Sequence, residues 1–102
     1  MSIKKQYLKS KTVCKVTFTL PKDMAMSAEN VYLVGDFNGW NPEANPMKRR
    51  KDGAFDITVN LEKDREYQFK YLLNGHIWEN DDSADRYVRS PYGDTDNSVV
   101  AV

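Results

Sequence analysis

The chain has 102 residues and a mass of 11.8 kDa, with 15 basic and 15 acidic side chains. This length fits one domain and excludes an enzyme that needs a large barrel or a two-domain cleft. The zero net charge gives no support to nucleic acid or an anionic membrane as a partner, and no apolar run approaches the roughly 20 residues that cross a bilayer. The N-terminus lacks the apolar stretch of a signal peptide, so we expect a cytoplasmic protein.

The basic charges cluster at the start of the chain. Residues 1–22 carry six lysines and no acidic residue. We interpret residues 1–12 as a solvated basic arm and residues 13–102 as the folded domain. A nucleic-acid-binding arm is the alternative, but it lacks the interleaved aromatic residues that such segments use, apart from Tyr7.

Alternating apolar and polar residues predict short strands along most of the domain. The first runs over residues 13–20 and places Cys14 on its apolar face, as a core residue and not a nucleophile. The further predicted strands cover residues 31–34, 47–51, 55–61, 67–73, 76–79 and 98–102. Only residues 24–30 suggest a single helical turn. Seven or so strands separated by turn signals predict an all-β, immunoglobulin-like antiparallel sandwich.

Motifs for catalysis, metals and cofactors are mostly absent from the sequence. It contains no glycine-rich phosphate loop and no Cys-x-x-Cys pair, and Asp81, Asp82 and Asp85 do not have the spacing of a calcium loop. Paired carboxylates could hydrolyse glycosides, but a loop on a small sandwich offers no deep pocket to raise the pKa of one of them. We therefore predict no cofactor, no metal and no catalysis.

Aromatic residues in polar turns are the most informative feature. Trp40 lies within the run Asn38-Gly39-Trp40-Asn41-Pro42, and Trp78 follows the turn Asn74-Gly75. Strand alternation places Lys70 on the solvent side of its strand, with Gln68 and Leu72. An exposed indole beside lysine and asparagine suits a pyranose ring, which stacks its C–H face and hydrogen-bonds through its hydroxyls. The alternative is that both tryptophans pack in the core.

The segment Gly35-Asp36-Phe37-Asn38-Gly39-Trp40 resembles the family 48 carbohydrate-binding modules, the early-set domains at the N-termini of isoamylases and branching enzymes. The glycogen-binding domain of the AMP-activated protein kinase beta subunit is similar. Residues 67–71, the turn 74–75 and the closing run 96–100 also match, so the resemblance covers nearly all of residues 13–102. It implies that Trp40 stacks on sugar, that Trp78 is a second platform, and that Lys70, Thr95 and Asn97 contact sugar hydroxyls.

The orientation of Trp78 depends on the length of the preceding loop. A two-residue turn, Asn74-Gly75, pairs Tyr71 with Trp78 and places the indole on the core face. A three-residue loop pairs Leu72 with Trp78 and turns the indole to solvent beside Lys70, which is the arrangement we favour. Tyr87 or Tyr92 could supply a further ring.

We therefore predict a non-catalytic module that binds α-1,4-glucan as glycogen, starch or maltooligosaccharide. The alternative is an immunoglobulin-like protein-interaction module associated with enzymes of glycogen metabolism. The expected partners are an α-glucan polysaccharide or oligosaccharide, with a glycogen-metabolising enzyme in trans as a further candidate. Nucleic acid and membranes are not expected as partners, and the protein is expected to be a monomer.

Overall fold

A computed structural model describes residues 3–9, 12–91 and 95–102 of the chain. Within these residues the fold has nine strands, one four-residue α-helix, α1 (Lys22–Ala25), and a single 3-10 turn over Asp36–Asn38. The strands are β1 (Ile3–Tyr7), β2 (Val13–Leu20), β3 (Val31–Gly35), β4 (Lys48–Arg49), β5 (Phe55–Glu62), β6 (Glu66–Leu73), β7 (Ile77–Glu79), β8 (Arg86–Arg89) and β9 (Asp96–Ala101). No helix of the described residues is long and apolar enough to cross a membrane.

The strands form two antiparallel sheets. The first sheet has the order β1-β2-β5-β4, and the second has the order β3-β6-β9-β8, with β7 also paired to β6. Aromatic rings fill the space between the sheets: Phe18 from the first sheet meets Phe69 from the second edge-on, with centroids 5.0 Å apart. This arrangement confirms the predicted immunoglobulin-like sandwich, and Cys14 is buried in its core as expected.

Residues 3–7 belong to the first sheet. The basic charges predict an arm outside the sandwich for residues 1–12, but Ile3–Tyr7 pair with β2 as an edge strand. Lys5 lies opposite the buried Val16, and its Nζ is 2.8 Å from Oδ2 of Asp85, which precedes β8. Strand β1 was not predicted because Lys5, which faces inward, breaks the apolar alternation. Inward-facing charges of this kind protect sheet edges from unwanted pairing.

Strand β6 organises the second sheet, since three strands pair with it. Strand β3 runs along one edge of β6, while β9 and β7 share the other edge: β9 pairs with the first half of β6 up to Phe69, and β7 pairs from Tyr71 onward. Lys70 lies between these two pairings. Phe69 and Tyr71 point into the core, so Gln68, Lys70 and Leu72 lie on the outer face of the sheet.

Candidate functional site

The turn after β3 begins where two strands approach each other closely. A Cβ atom added at Gly35 would lie 2.5 Å from the carbonyl oxygen of Gln68 and 2.8 Å from the Cβ of Phe69. Real Cβ contacts are essentially never this short, so only glycine fits here. The close approach brings the turn that follows β3 directly against β6.

The side chain of Asn38 holds this turn together. Its Oδ1 accepts a hydrogen bond from the Gly35 amide at 3.1 Å, while its Nδ2 donates to the Leu33 carbonyl at 3.0 Å and to Asn45 Oδ1 at 2.7 Å. Phe37, in the same turn, packs against the core cluster. Phe37 and Asn38 therefore have structural roles, and they set the position of the residues that follow them.

Trp40 follows this turn, and both its backbone and its indole are constrained. Gly39 and Trp40 both adopt positive φ angles, 67° and 60°. The Trp40 Nε1 donates to Asp36 Oδ1 at 2.8 Å, and the other oxygen of Asp36 accepts from the Gln68 amide at 2.8 Å. Asp36 thus connects the half-buried indole to β6. Because its N–H is occupied, this indole has only its ring to offer a ligand.

Lys70 is on the outer face of β6, as predicted, but it is not open to solvent. The residue is only 8% exposed, and its Nζ donates to the Asp96 carbonyl at 3.0 Å and to Thr95 Oγ1 at 3.4 Å. Burial lowers the pKa of this ammonium, and the nearby carboxylates of Asp96 and Glu79 oppose the change without cancelling it. The prediction of a solvated lysine was wrong because the Lys70 side chain lies against the start of β9, where the Asp96 carbonyl and the Thr95 hydroxyl accept its hydrogen bonds.

Leu72 was also predicted to face solvent and is only 4% exposed. Its neighbours in the sheet explain this difference, since Tyr32 on β3 and Trp78 on β7 pair with it on the same face. Large side chains on both sides therefore cover the leucine.

Trp78 lies on the outer face of the second sheet. Leu72 pairs with Trp78 and Leu73 with Ile77, so three residues form the loop between β6 and β7. Asn74 and Gly75 take positive φ angles of 52° and 77° there. This is the arrangement favoured from the sequence, and it leaves the indole 47% exposed. Neither tryptophan is in the buried core.

Thr95 directly precedes β9, and Asn97 is the second residue of that strand. Thr95 is exposed, and its hydroxyl accepts the hydrogen bond from Lys70. Asn97 is 6% exposed, and its Nδ2 donates to Gln68 Oε1 at 3.0 Å. The polar residues predicted before the last strand are therefore connected to β6 by direct side-chain contacts.

All five predicted site residues line one groove of about 510 Å³ on the outer face of the second sheet. The groove is lined by Asp36, Trp40, Gln68, Lys70, Trp78, Ser90, Pro91, Thr95 and Asn97. Two indoles, an ammonium, a hydroxyl and amides thus meet in one depression. This combination suits a ligand with apolar faces and a hydroxyl-bearing rim.

Sequence reasoning did not assign four of the lining residues to the site, namely Asp36, Gln68, Ser90 and Pro91. Asp36 was part of the family motif, but nothing in the sequence indicates that its carboxylate reaches both Trp40 and β6. Gln68 was placed on the outer face without a role, although its spacing of two residues from Lys70 is the signal that both line the same surface.

Of the two tyrosines suggested as further rings, Tyr87 does not extend the groove. Tyr87 is exposed on β8, but it is not among the residues that line the groove, and its hydroxyl donates to the Asp81 carbonyl. Tyr92 lies outside the described residues.

The acidic loop before β8 contacts the core through Asp81. Asp81 is buried, and its carboxylate accepts hydrogen bonds from the Tyr71 hydroxyl at 2.6 Å and from the Ser83 amide at 2.7 Å. Burial, together with the adjacent Asp81, raises the pKa of Tyr71 well above its ordinary value.

In the part of the chain that the structure describes, no three His, Cys, Asp or Glu residues are grouped to hold a metal ion.

The sequence of the chain matches one protein family. The sequence profile described as carbohydrate-binding module 48 (isoamylase N-terminal domain) matches residues 15–93. The chain is 31% identical over 72 residues to a 1,4-alpha-glucan branching enzyme GlgB of Prochlorococcus marinus, and 34% identical over 71 residues to one of Synechococcus elongatus. These matches cover 68% of this chain and 8% of each relative. A 1,4-alpha-glucan-branching enzyme of Equus caballus is 45% identical over 38 residues, which are 37% of this chain and 5% of that protein.

Proposed function

Because the chain belongs to the carbohydrate-binding module 48 (isoamylase N-terminal domain) family, we propose that its groove binds α-1,4-linked glucan, such as glycogen, starch or maltooligosaccharides. One observation carries the proposal: Trp40, Lys70, Trp78, Thr95 and Asn97, which come from separate segments of the chain, line the same groove.

Stacking on the indoles supplies the apolar part of the binding energy. A sugar that covers roughly 100 Å² of one indole gains about 2.5 kcal/mol, before the entropy cost of association. A single platform therefore holds one glucose weakly. Trp40 and Trp78 together can engage successive parts of one oligosaccharide, which favours a polymer as the ligand. The hydrogen bond from Trp40 to Asp36 keeps the first ring oriented while it is empty.

Lys70 supplies the strongest polar contact in this proposal. An ammonium carries three donors, and two of them are directed at Asp96 and Thr95. The third can reach a sugar hydroxyl at the groove floor. Because the side chain is nearly buried, this hydrogen bond forms away from bulk water and is correspondingly stronger. The Thr95 hydroxyl can also bond the rim of the ligand.

The chain is proposed to bind without catalysing a reaction. Hydrolysis of glycosides uses two carboxyl groups that face each other across the bond. Among the described residues that line the groove, Asp36 is the one acid, and both of its oxygens already accept hydrogen bonds from Trp40 and Gln68. We expect the purified protein to release no reducing sugar from amylopectin.

The binding proposal is tested by titrating maltoheptaose while tryptophan fluorescence or heat is recorded. The wild type and Tyr7→Ala should bind alike, because Tyr7 is an exposed aromatic residue on β1 of the first sheet. Trp40→Ala should bind at least tenfold more weakly. A β-linked oligosaccharide such as cellohexaose serves as the ligand control. Absence of binding by the wild type would overturn the proposal and favour the protein-interaction alternative.

The cytoplasmic location, the monomeric state and the association with a glycogen-metabolising enzyme in trans stay predictions. Sedimentation analysis and co-purification address the last two directly.

A further inference from the structure

Gln68 and Asn97 form a coupled pair of amides on the floor of the groove. From this pair we infer that Gln68 is a further ligand-contacting residue, which donates a hydrogen bond to a glucan hydroxyl next to one bound by Asn97. The inference rests on the proposed function of the groove.

Three contacts fix the position of Gln68. Its backbone amide donates to Asp36 Oδ2 at 2.8 Å, and its side-chain Oε1 accepts from Asn97 Nδ2 at 3.0 Å. It also pairs with Val99 of β9, which places it on the same face as Asn97 and Lys70. Because Asn97 is only 6% exposed, its amide is held in place and in turn holds that of Gln68.

The hydrogen-bonding capacity of the pair is only partly used. Each amide has a carbonyl oxygen and an N–H₂ group, and the two side chains exchange one hydrogen bond. No other described residue hydrogen-bonds to the Gln68 N–H₂ group or to the Asn97 carbonyl oxygen. Reversing both amides exchanges the roles of the two residues and still leaves one N–H₂ group beside one carbonyl oxygen.

A donor beside an acceptor is complementary to two neighbouring sugar hydroxyls. Each hydroxyl can both donate and accept, so one can accept from the Gln68 amide while the other donates to the Asn97 carbonyl. Indole stacking alone does not fix how the sugar is rotated over the ring. A paired amide contact of this kind fixes that rotation, and it makes Gln68 a specificity-determining residue.

The first experiment measures maltoheptaose affinity for Gln68→Met, which keeps the length of the side chain and removes its polar atoms. The backbone bond to Asp36 is retained, so the fold should persist. Loss of one hydrogen bond should weaken binding about tenfold. Asn60→Met is the matched control, because Asn60 is exposed on β5 of the other sheet, and it should bind as the wild type does.

A second comparison separates direct contact from mere support of Asn97. Gln68→Met is introduced into the Asn97→Ala variant, where there is no longer an amide to hold. A residue that contacts the sugar still weakens binding there by several-fold. No further loss in that background would overturn the inference, because Gln68 would then be only a positioning residue.

A measurement on the wild type keeps the inference testable without substitutions. The side-chain N–H₂ signals of Gln68 should shift in a nitrogen–proton correlation spectrum as maltoheptaose is added, and unmoved signals would contradict the inference. If the wild type binds and Gln68→Met binds equally well, the inference alone fails. If the wild type does not bind maltoheptaose, the proposed function fails and the inference with it.

Discussion

Replacing Asp36 by alanine tests whether the hydrogen bond to Trp40 prepares the groove for its ligand. The change removes the acceptor for the Trp40 indole and for the Gln68 amide. Both bonds involve a charged but exposed carboxylate, so together they contribute about 2 kcal/mol of stability. For a domain of this size, such a loss lowers the melting temperature by about 10 °C.

The same substitution should also weaken glucan binding. Without its acceptor, the Trp40 side chain is free to rotate, and the ligand must then order it at a cost of about 1 kcal/mol. We expect maltoheptaose to bind Asp36→Ala about fivefold more weakly than the wild type, which calorimetric titration at a temperature well below melting would measure.

Asp52→Ala is a matched control for this experiment. Asp52 also accepts hydrogen bonds from one backbone amide, that of Ala54, and one side chain, that of Arg50, but it is not among the residues lining the groove. It should therefore lose stability and keep full affinity. If Asp36→Ala and Asp52→Ala bound glucan equally well, the proposed orienting role of Asp36 would be refuted.

Three further changes follow from other parts of the structure. Gly35→Ala places its Cβ 2.5 Å from the Gln68 carbonyl oxygen, so it should cost about 3 kcal/mol and lower the melting temperature by about 15 °C in a thermal scan. Burial acts to raise the pKa of Asp85, but a backbone amide and Lys5 outweigh it and hold that pKa below its ordinary value. The resulting stability is present above about pH 4 and is lost as the pH falls further, so Asp85→Asn should flatten this part of an acid-unfolding curve; an unchanged curve would contradict the assignment. Glucan affinity should fall as the pH rises and Lys70 loses its proton. Because the pKa of Lys70 is lowered, this fall should occur at a lower pH than it would with an ordinary lysine. Lys70→Met should bind weakly and show no such pH dependence.

The long strands were predictable because local alternation reflects burial. Strands β2 and β5 each show an apolar face and a polar face in sequence, and both form as expected. Strands β1 and β8 escaped prediction because each is a short edge strand rich in lysine or arginine. Their pairing depends on partners that are distant in sequence, and local patterns carry no information about such partners.

The sequence indicated five of the residues that line the groove, but it did not indicate the contacts that connect them. The family motif indicated Trp40 and Lys70, and the alternative loop lengths defined both orientations of Trp78 in advance. Asp36 and Gln68 are 32 residues apart, and their hydrogen bond exists only because β3 and β6 pair. The burial of Lys70 likewise depends on the gap between β7 and β9, which the sequence does not reveal.

Electrophoresis in native gels with and without glycogen is the most direct test of glucan binding. We predict that glycogen retards the wild type and Tyr7→Ala alike, and that Trp40→Ala migrates as it does in the gel without polysaccharide. Equal mobility of the wild type in the two gels would show that the groove does not bind glycogen.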